Sequence, residues 1–401
     1  MDLAAIDLND LDTFVAGVPH EWFAAMRDSG PFWQDERGGP GYWNFTRYPD
    51  VVHINKDNVT FSSAARTALI NEMPEADLEQ QRLMMLNMDP PMHTRYRLLV
   101  NKGFTPRMVG QLEQTIRDRT NEILDVAIDK GDIDFVTDIA AELPLQVIAD
   151  LMGVPQADRH LVFDWSNALI GSNDPEYLVD AEAPMRASME LFAYAHQLAE
   201  EKRANPHEDL LSVLTQVSVD GERLSDIELD LFFLLLAVAG NETTRNLIAH
   251  GMNALLEYPD QYKELLDNPG LVPGAVEEML RWGSPVMHFR RNVMRDTDIN
   301  GFPVNEGDKV VIWYIAANRD ETVFNDPYRF DIHRSPNPHV AFGGGGPHFC
   351  LGANLARVEI RVMFEEVVRR LPDIQQTGPA SRLRSNFING IKHLPVRLPQ
   401  P

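Results

Sequence analysis

The stretch Phe342-Gly343-Gly344-Gly345-Gly346-Pro347-His348-Phe349-Cys350-Leu351-Gly352 contains the only cysteine among 401 residues. A helical pattern follows it directly, from about residue 351 to 371. A thiol at the start of a helix meets unpaired backbone N–H groups and the positive end of the helix dipole, and both favour the metal-binding thiolate. The preceding glycines allow positive φ and close approach of a flat ligand. The stretch therefore predicts a loop that presents one sulfur to a metal.

The number of cysteines restricts the kind of metal centre. Zinc sites and iron–sulfur clusters need three or four ligands, whereas one thiolate is sufficient for a haem iron. The alternative interpretation of Cys350 is a small buried hydrophobic residue, which is the common role of a lone cysteine.

Composition indicates a soluble globular protein. The sequence has 36 basic and 60 acidic side chains, and a net charge of −24 disfavours nucleic acid and anionic membranes as partners. The N-terminus lacks the basic and apolar regions of a signal peptide. The longest apolar run, residues 231–240, is too short for a membrane anchor. We therefore expect a cytoplasmic protein.

A second informative segment is the helix predicted for residues 225–256. It is apolar from Leu231 to Ala239 and then contains Gly240, Glu242 and Thr243. Burying an unpaired carboxylate costs several kcal/mol or more, so an ionisable cluster within an apolar helix indicates a functional site. The alternative is a helix that passes from the core to the surface.

Two shorter motifs are weak by themselves. His93 and Arg97 share one face of a predicted helix, and Glu278 and Arg281 are spaced to form an ion pair. Either pair could be an ordinary surface contact. A guanidinium group can also hold a carboxylate by two charge-assisted hydrogen bonds.

Taken together and in this order, the motifs resemble those of the cytochrome P450 superfamily. The family places its loop phenylalanine seven residues before the cysteine, whereas Phe342 is eight residues before Cys350. The extra glycine is similar to actinobacterial enzymes that oxidise sterol side chains and methyl-branched lipids. The resemblance covers about residue 30 to the end. It implies a single mainly α domain over residues 1–401, with a small β-rich lobe from about 30–60, 285–315 and the C-terminal strands.

The resemblance also implies haem b as cofactor and roles for individual residues. Cys350 would be the metal ligand. The implied cofactor-binding residues are His93, Arg97, Gly240, Arg291, Phe342, Gly343, His348, Cys350 and Gly352. Arg290 is the alternative to Arg291. The implied structural ion cluster is Glu278, Arg281 and Arg329, with Arg334 as the alternative to Arg329. The expected substrate-pocket residues are Val238, Ala239, Val286, Met287, Phe289, Phe387 and Ile388, and residues 62–86 are expected to cover the pocket.

The implied activity is insertion of one oxygen atom of O2 into a C–H bond of a lipophilic substrate, with Glu242 and Thr243 delivering protons. The substrate would be a sterol side chain or a methyl-branched or fatty lipid. Because no flavin or nicotinamide fingerprint is present, electrons would come from NAD(P)H through a reductase and a ferredoxin. The basic residues expected to receive the ferredoxin are Arg95, Lys102, Arg107, Arg357 and Arg361. The alternatives are a terpenoid hydroxylase, a peroxide-driven enzyme and a non-catalytic haem sensor.

Overall fold

The structure is a computed structural model that describes residues 3–36, 39–101, 104, 106–218 and 221–399, without the side chains of 106–108 and 111. Helices form most of the described residues and strands form a small lobe, which confirms the mainly α prediction. The helices are α1 (Leu11–Ala16), α2 (His20–Ser29), α3 (Tyr48–Lys56), α4 (Glu75–Gln81), α5 (Met92–Val100), α6 (Pro106–Lys130), α7 (Glu142–Met152), α8 (Arg159–Ile170), α9 (Ala183–Ala204), α10 (Leu210–Gln216), α11 (Asp226–Glu257), α12 (Pro259–Asp267), α13 (Val272–Gly283), α14 (Tyr314–Ala317) and α15 (Ala353–Arg370).

The strands are short. They are β1 (Phe32–Gln34), β2 (Tyr42–Phe45), β3 (Phe61–Ser62), β4 (Asp132–Asp134), β5 (His288–Val293), β6 (Thr297–Ile299), β7 (Phe302–Val304), β8 (Lys309–Trp313), β9 (Gln375–Gln376), β10 (Ser381–Arg382), β11 (Ile391–His393) and β12 (Pro395–Arg397). A five-stranded sheet has the order β1-β2-β8-β5-β3, and smaller sheets join β4-β12-β9, β10-β11 and β6-β7. Strand β4 lies outside the expected β-rich segments.

Helix α11 runs through the centre of the helical layer. Ser225 and Glu228 form a reciprocal capping box at its start, as their spacing indicates. The helix packs against α7, α8, α9, α13 and α15. Because it is surrounded by other helices, it is apolar on nearly every side. The polar group at residues 240–246 is consequently buried within the protein rather than at its surface, which contradicts the core-to-surface alternative.

Strand β5 lies beside the central strand β8 and has alternating faces. Phe289 and Arg291 face the helical layer, where they line a cavity. Arg290 points to the other side and bonds Glu72 at 2.8 Å and the carbonyl of Ile70 at 3.2 Å. The pleat of the strand thus directs Arg291 to the cavity and Arg290 to Glu72 on the other face of the sheet.

The ion cluster on α13 is completed by a different arginine from the one that the sequence analysis favours. Glu278 is fully buried and accepts hydrogen bonds from Arg281 at 2.7 and 2.8 Å and from Arg334 at 3.0 and 3.2 Å. Arg329 contributes only its backbone carbonyl, which accepts from both guanidinium groups. The choice of Arg329 was therefore wrong, because the turn after it directs its side chain to solvent.

No helix within the described ranges combines the length and the apolar character that crossing a membrane requires.

The cluster predicts unequal effects for the two arginines. Replacing Arg334 with Met should lower the free energy of unfolding by roughly 3 kcal/mol, because it leaves part of a buried carboxylate charge uncompensated. Arg329→Met is the matched control and should change it by no more than about 0.5 kcal/mol, as is usual at exposed positions. Denaturant titration of both variants checks this, and equal losses would contradict the assignment.

Candidate active site

A large apolar cavity lies between α11, α15, β5 and the cysteine loop. Its volume is about 240 Å³. Its apolar walls are formed by Met85, Leu86, Phe104, Ile148, Phe232, Leu235, Leu236, Ala239, Leu247, Leu280, Pro285, Val286, Phe289, Ala341, Phe342, Phe349, Leu351, Leu355 and Ala356. The apolar lining is therefore suited to a flat apolar cofactor and a lipophilic molecule.

The cysteine loop holds the Cys350 sulfur at one wall of this cavity. The N–H of Cys350 donates to the carbonyl of Phe342 at 2.9 Å, which closes the loop. Burial raises the pKa of the Cys350 thiol, and the amide of Gly352, Arg97 and Arg357 oppose that shift. The amide at the helix start thus favours the thiolate, as the sequence indicates, while burial opposes it.

The four glycines allow the loop to contact α3 closely. Gly343, Gly345 and Gly346 have φ values of +94°, +96° and +79°, which other residues adopt only with strain. A Cβ at Gly346 would lie 2.2 Å from the backbone oxygen of Asn55. The loop, including its additional glycine, is thus fitted against the backbone of α3.

Four basic side chains line the cavity near the cysteine loop: His93, Arg97, Arg291 and His348. The two imidazole rings are 4.3 Å apart. His348 Nε2 lies 3.0 Å from the carbonyl of Met88, whereas the buried His93 Nε2 has no hydrogen-bond partner among the described residues. Burial lowers the pKa of His93 to about 4 and that of His348 to about 2, so both rings are neutral at pH 7.

Within the described residues, the hydrogen bonds donated by the two arginines of this group go to backbone carbonyls. Arg97 donates to the carbonyl of Pro347 at 3.0 Å, and Arg291 donates to the carbonyl of Arg290 at 2.7 Å. Arg291 is buried and forms no salt bridge with a carboxylate of the described residues. Because an unpaired buried charge is unfavourable, this arrangement fits an anionic ligand group at the cavity edge.

Helix α11 presents one continuous stripe to the cavity. Its lining residues are Phe232, Leu235, Leu236, Ala239, Gly240, Thr243, Thr244 and Leu247, which follow the i, i+3, i+4, i+7 spacing of one helical face. The Thr243 hydroxyl donates to the carbonyl of Ala239 at 2.7 Å. A Cβ at Gly240 would lie 2.5 Å from Ile148 Cδ1, so the room left by this glycine is partly taken by α7.

Glu242 is not among the side chains of α11 that line the cavity. It is 1% exposed and pairs with Arg245, whose other nitrogen donates to Asn167 of α8 at 2.8 Å. Its Oε1 has no partner among the described residues. Burial raises the pKa of Glu242, although Arg245 lowers it. The carboxyl group would have to turn away from Arg245 to act in the cavity.

The cavity contains only part of the expected substrate-pocket set. Ala239, Val286 and Phe289 line it. The other four expected pocket residues do not line the cavity, so that part of the prediction is wrong: Val238, Met287, Phe387 and Ile388. Met287 belongs to the hydrophobic cluster that contains Trp313. Ile388 forms a β-bridge with Val286. The expected cover at residues 62–86 supplies Met85 and Leu86. The helical spacing along α11 was sufficient to predict Phe232 and Leu236 as cavity residues. No local sequence pattern marks Ile148 as one.

The expected basic docking residues are largely neutralised. Arg95 pairs with Glu222 and Glu228, Arg357 with Glu277, and Arg361 with Glu113 and Glu365. Lys102 and the side chain of Arg107 lie outside the described residues. Each of these three arginines therefore has an ion-pair partner within the fold, and the docking role of the five basic residues stays a prediction.

Comparison with known proteins identifies the family. A family model described as Cytochrome P450 matches residues 11–382. The chain belongs to the cytochrome P450 family. It is 43% identical over 400 residues to a steroid C26-monooxygenase of Rhodococcus jostii, covering 97% of this chain and 84% of that protein. It is 44% identical over 407 residues to a methyl-branched lipid omega-hydroxylase of Mycobacterium tuberculosis, covering 98% and 95%.

The same family appears in the comparison of folds. A Mycobacterium marinum cytochrome P450 in complex with pseudoionone superposes with a TM-score of 0.92 at 39% identity, covering 98% of each protein. This P450 is accordingly a monooxygenase with the P450 fold. Family membership implies a haem, and the cavity fits one: it combines one sulfur, apolar walls and basic groups with an unpartnered imidazole nitrogen.

The loop geometry predicts that two glycines respond differently to substitution. Gly346→Ala should reduce haem retention strongly, since a methyl group there meets backbone of α3. Gly345→Ala is the matched control. The φ of Gly345 is also positive, but a Cβ there would meet only the flexible Lys56 side chain, at 3.1 Å. This variant should keep its haem, and its free energy of unfolding should fall by about 1 kcal/mol. The ratio of haem to protein after purification and the melting temperature measure both effects. Equal haem loss would contradict the close fit.

Proposed function

We propose that this P450 hydroxylates a C–H bond at the terminus or in the side chain of a sterol or of a methyl-branched lipid. The observation that carries the proposal is that the Cys350 sulfur and the Thr243 hydroxyl face one large, mainly apolar cavity. The names of the relatives in Rhodococcus and Mycobacterium support the substrate class. A long apolar substrate gains roughly 0.8 kcal/mol for each buried CH2 group, so few hydrogen bonds are needed.

In this proposal each group around the cavity has one task. Cys350 is the iron ligand, and Arg97, Arg291, His93 and His348 hold the haem carboxylates. Haem bound there supplies the activation of O2, and a thiolate ligand favours cleavage of the O–O bond. Phe289 and the apolar stripe of α11 orient the substrate and exclude water.

Proton supply is assigned to α11. The Thr243 hydroxyl lies at the cavity, and its bond to the Ala239 carbonyl keeps its oxygen free to accept a proton from water and pass one on. Glu242 would exchange its contact with Arg245 for water on the cavity side. Its raised pKa supports this role because burial favours the protonated form of the carboxyl group.

We also propose that electrons arrive from NAD(P)H through a ferredoxin reductase and a ferredoxin. A further docking candidate is Lys56 at the end of α3, which is exposed and lies next to Gly345 of the cysteine loop. An acidic one-electron carrier would meet this positive charge close to Cys350.

Replacing Cys350 with Ser tests the ligand assignment. The variant should lose the strongly red-shifted absorption of the reduced carbon monoxide complex, because a hydroxyl does not replace a thiolate on haem iron. The difference spectrum of wild type and variant measures this. A non-catalytic haem sensor would keep this band but give no hydroxylated product with any reductase system.

Replacing Glu242 with Gln tests proton delivery. Product formation should fall roughly 10- to 100-fold, within the usual range for general acid–base catalysis, while NAD(P)H consumption continues. Glu257→Gln at the exposed end of the same helix is the control and should keep the wild-type ratio of product to NAD(P)H. Unchanged coupling in Glu242→Gln with intact haem would remove the assigned role.

A substrate panel separates the alternatives. Sterols and methyl-branched fatty acids should shift the Soret band from low spin to high spin, because they fill the apolar cavity and displace water. Binding of terpenoids without sterols or lipids would favour the terpenoid hydroxylase. Turnover supported better by peroxide than by ferredoxin would favour the peroxide-driven enzyme.

A further inference from the structure

Helix α15 contains a buried carboxylic acid that the proposed reaction does not use. Leu355, Ala356 and Glu359 share the face of α15 that lines the cavity. Glu359 is 2% exposed, and its Oε2 has no hydrogen-bond partner among the described residues. The cavity wall formed by the cysteine loop and α15 therefore includes the acid Glu359, whose Oε2 has no partner among the described residues.

The other buried carboxylates of this region are compensated. Glu278 is held by two guanidinium groups and Glu242 by Arg245. Glu359 forms no salt bridge within the described ranges, and burial alone raises its pKa to about 8. An isolated carboxylate in such a place is strongly disfavoured, so the group carries a proton at neutral pH.

Glu359 is close enough to the cysteine loop for charge there to change how strongly it binds its proton. Seven residues of helix separate Gly352 from Glu359, which corresponds to roughly 10 Å along the axis. Charges at such a separation still interact in a low-dielectric interior, and a like charge disfavours ionisation of an acid. Adding one electron on the Cys350 side should consequently strengthen proton binding at Glu359.

We propose that at alkaline pH, where Glu359 is ionised in the oxidised protein, this acid takes up a proton when the haem iron held by Cys350 is reduced, so that electron entry and proton binding are coupled. One electron passes from the one-electron donor to the ferric iron, and one proton passes from water to a carboxylate oxygen of Glu359. Reoxidation returns both. The inference rests on the proposed ligation of haem iron by Cys350. Glu359 would compensate the charge of the added electron and would not take part in the reaction with the substrate.

The pH dependence has a definite sign. Where Glu359 is protonated in both redox states, the midpoint potential does not depend on pH. Between the pKa of Glu359 in the oxidised state and its higher pKa in the reduced state, the acid is ionised before reduction and protonated after it, so the potential falls as pH rises. For a one-electron couple the limit is about 59 mV per pH unit, which is a tenfold change in proton concentration.

The titratable side chains at the cavity do not account for this slope, and the proposed haem carboxylates are the same in wild type and in Glu359→Gln. His93 and His348 face the same cavity, but burial lowers the pKa of one to about 4 and of the other to about 2. Arg97 and Arg291 remain positively charged throughout the range. Burial is the only cause that shifts the pKa of Glu359, so no charged group of α6, α11 or α13 within the described ranges contributes appreciably.

Spectroelectrochemical titration of the haem-loaded protein between about pH 6 and about pH 9.5 tests the inference. Wild type should show a flat potential at the acid end and a falling one at the alkaline end. Glu359→Gln should remove the fall. Glu365→Gln, on the same helix but ion-paired with Arg117 and Arg361, is the control and should keep it.

A pH-independent potential in wild type would overturn the inference, as would an unchanged slope in Glu359→Gln. If that variant does not retain haem, redox-induced infrared difference spectra of wild type decide: a protonated carboxyl band should appear on reduction near pH 9, and its absence counts against the coupling. If wild type does not show the red-shifted carbon monoxide band of a thiolate-ligated haem, ligation by Cys350 is refuted instead. Failure of the coupling and failure of the proposed ligation are therefore distinguishable.

Discussion

Desolvation of charged groups is the constraint on which the site depends. The cavity needs apolar walls to hold a lipophilic molecule, and those walls raise the pKa of the Cys350 thiol. The same walls leave Arg291 buried without a carboxylate partner among the described residues. A negative sulfur and positive guanidinium groups are each unfavourable in the protein alone, and an iron porphyrin with carboxylate groups, as proposed here, would compensate both. Cofactor binding and stability of the loop are thereby linked.

Close backbone packing provides the rigidity that this arrangement requires. The cysteine loop lies against α3 at Gly344 and Gly346, where no side chain would fit without displacement. On the other side, Glu278 joins α13 to the segment before the loop through Arg334. These contacts hold the loop between two fixed elements, so the position of the sulfur does not depend on the loop's own flexible residues.

The polar groups of α11 divide the helix into two sides. Thr243 faces the cavity, while Glu242 faces α8 through Arg245 and Asn167. Adjacent residues on a helix point about a quarter turn apart, so one residue along the sequence changes the environment completely. The acid is protected from the cavity at rest, and the proton path of the proposed reaction includes a side-chain movement.

The sequence by itself determined the helical class, the capping box at Ser225 and Glu228, and the loop that presents Cys350, because these follow from local spacing. Tertiary structure alone decided which of two neighbouring arginines reaches the cavity, since the pleat of β5 depends on its pairing with β8. It also decided that Arg334 rather than Arg329 binds Glu278, and that Ile148 fills the gap at Gly240. Such contacts join residues that are far apart in the sequence, and desolvation acts on them only when the surrounding helices are in place.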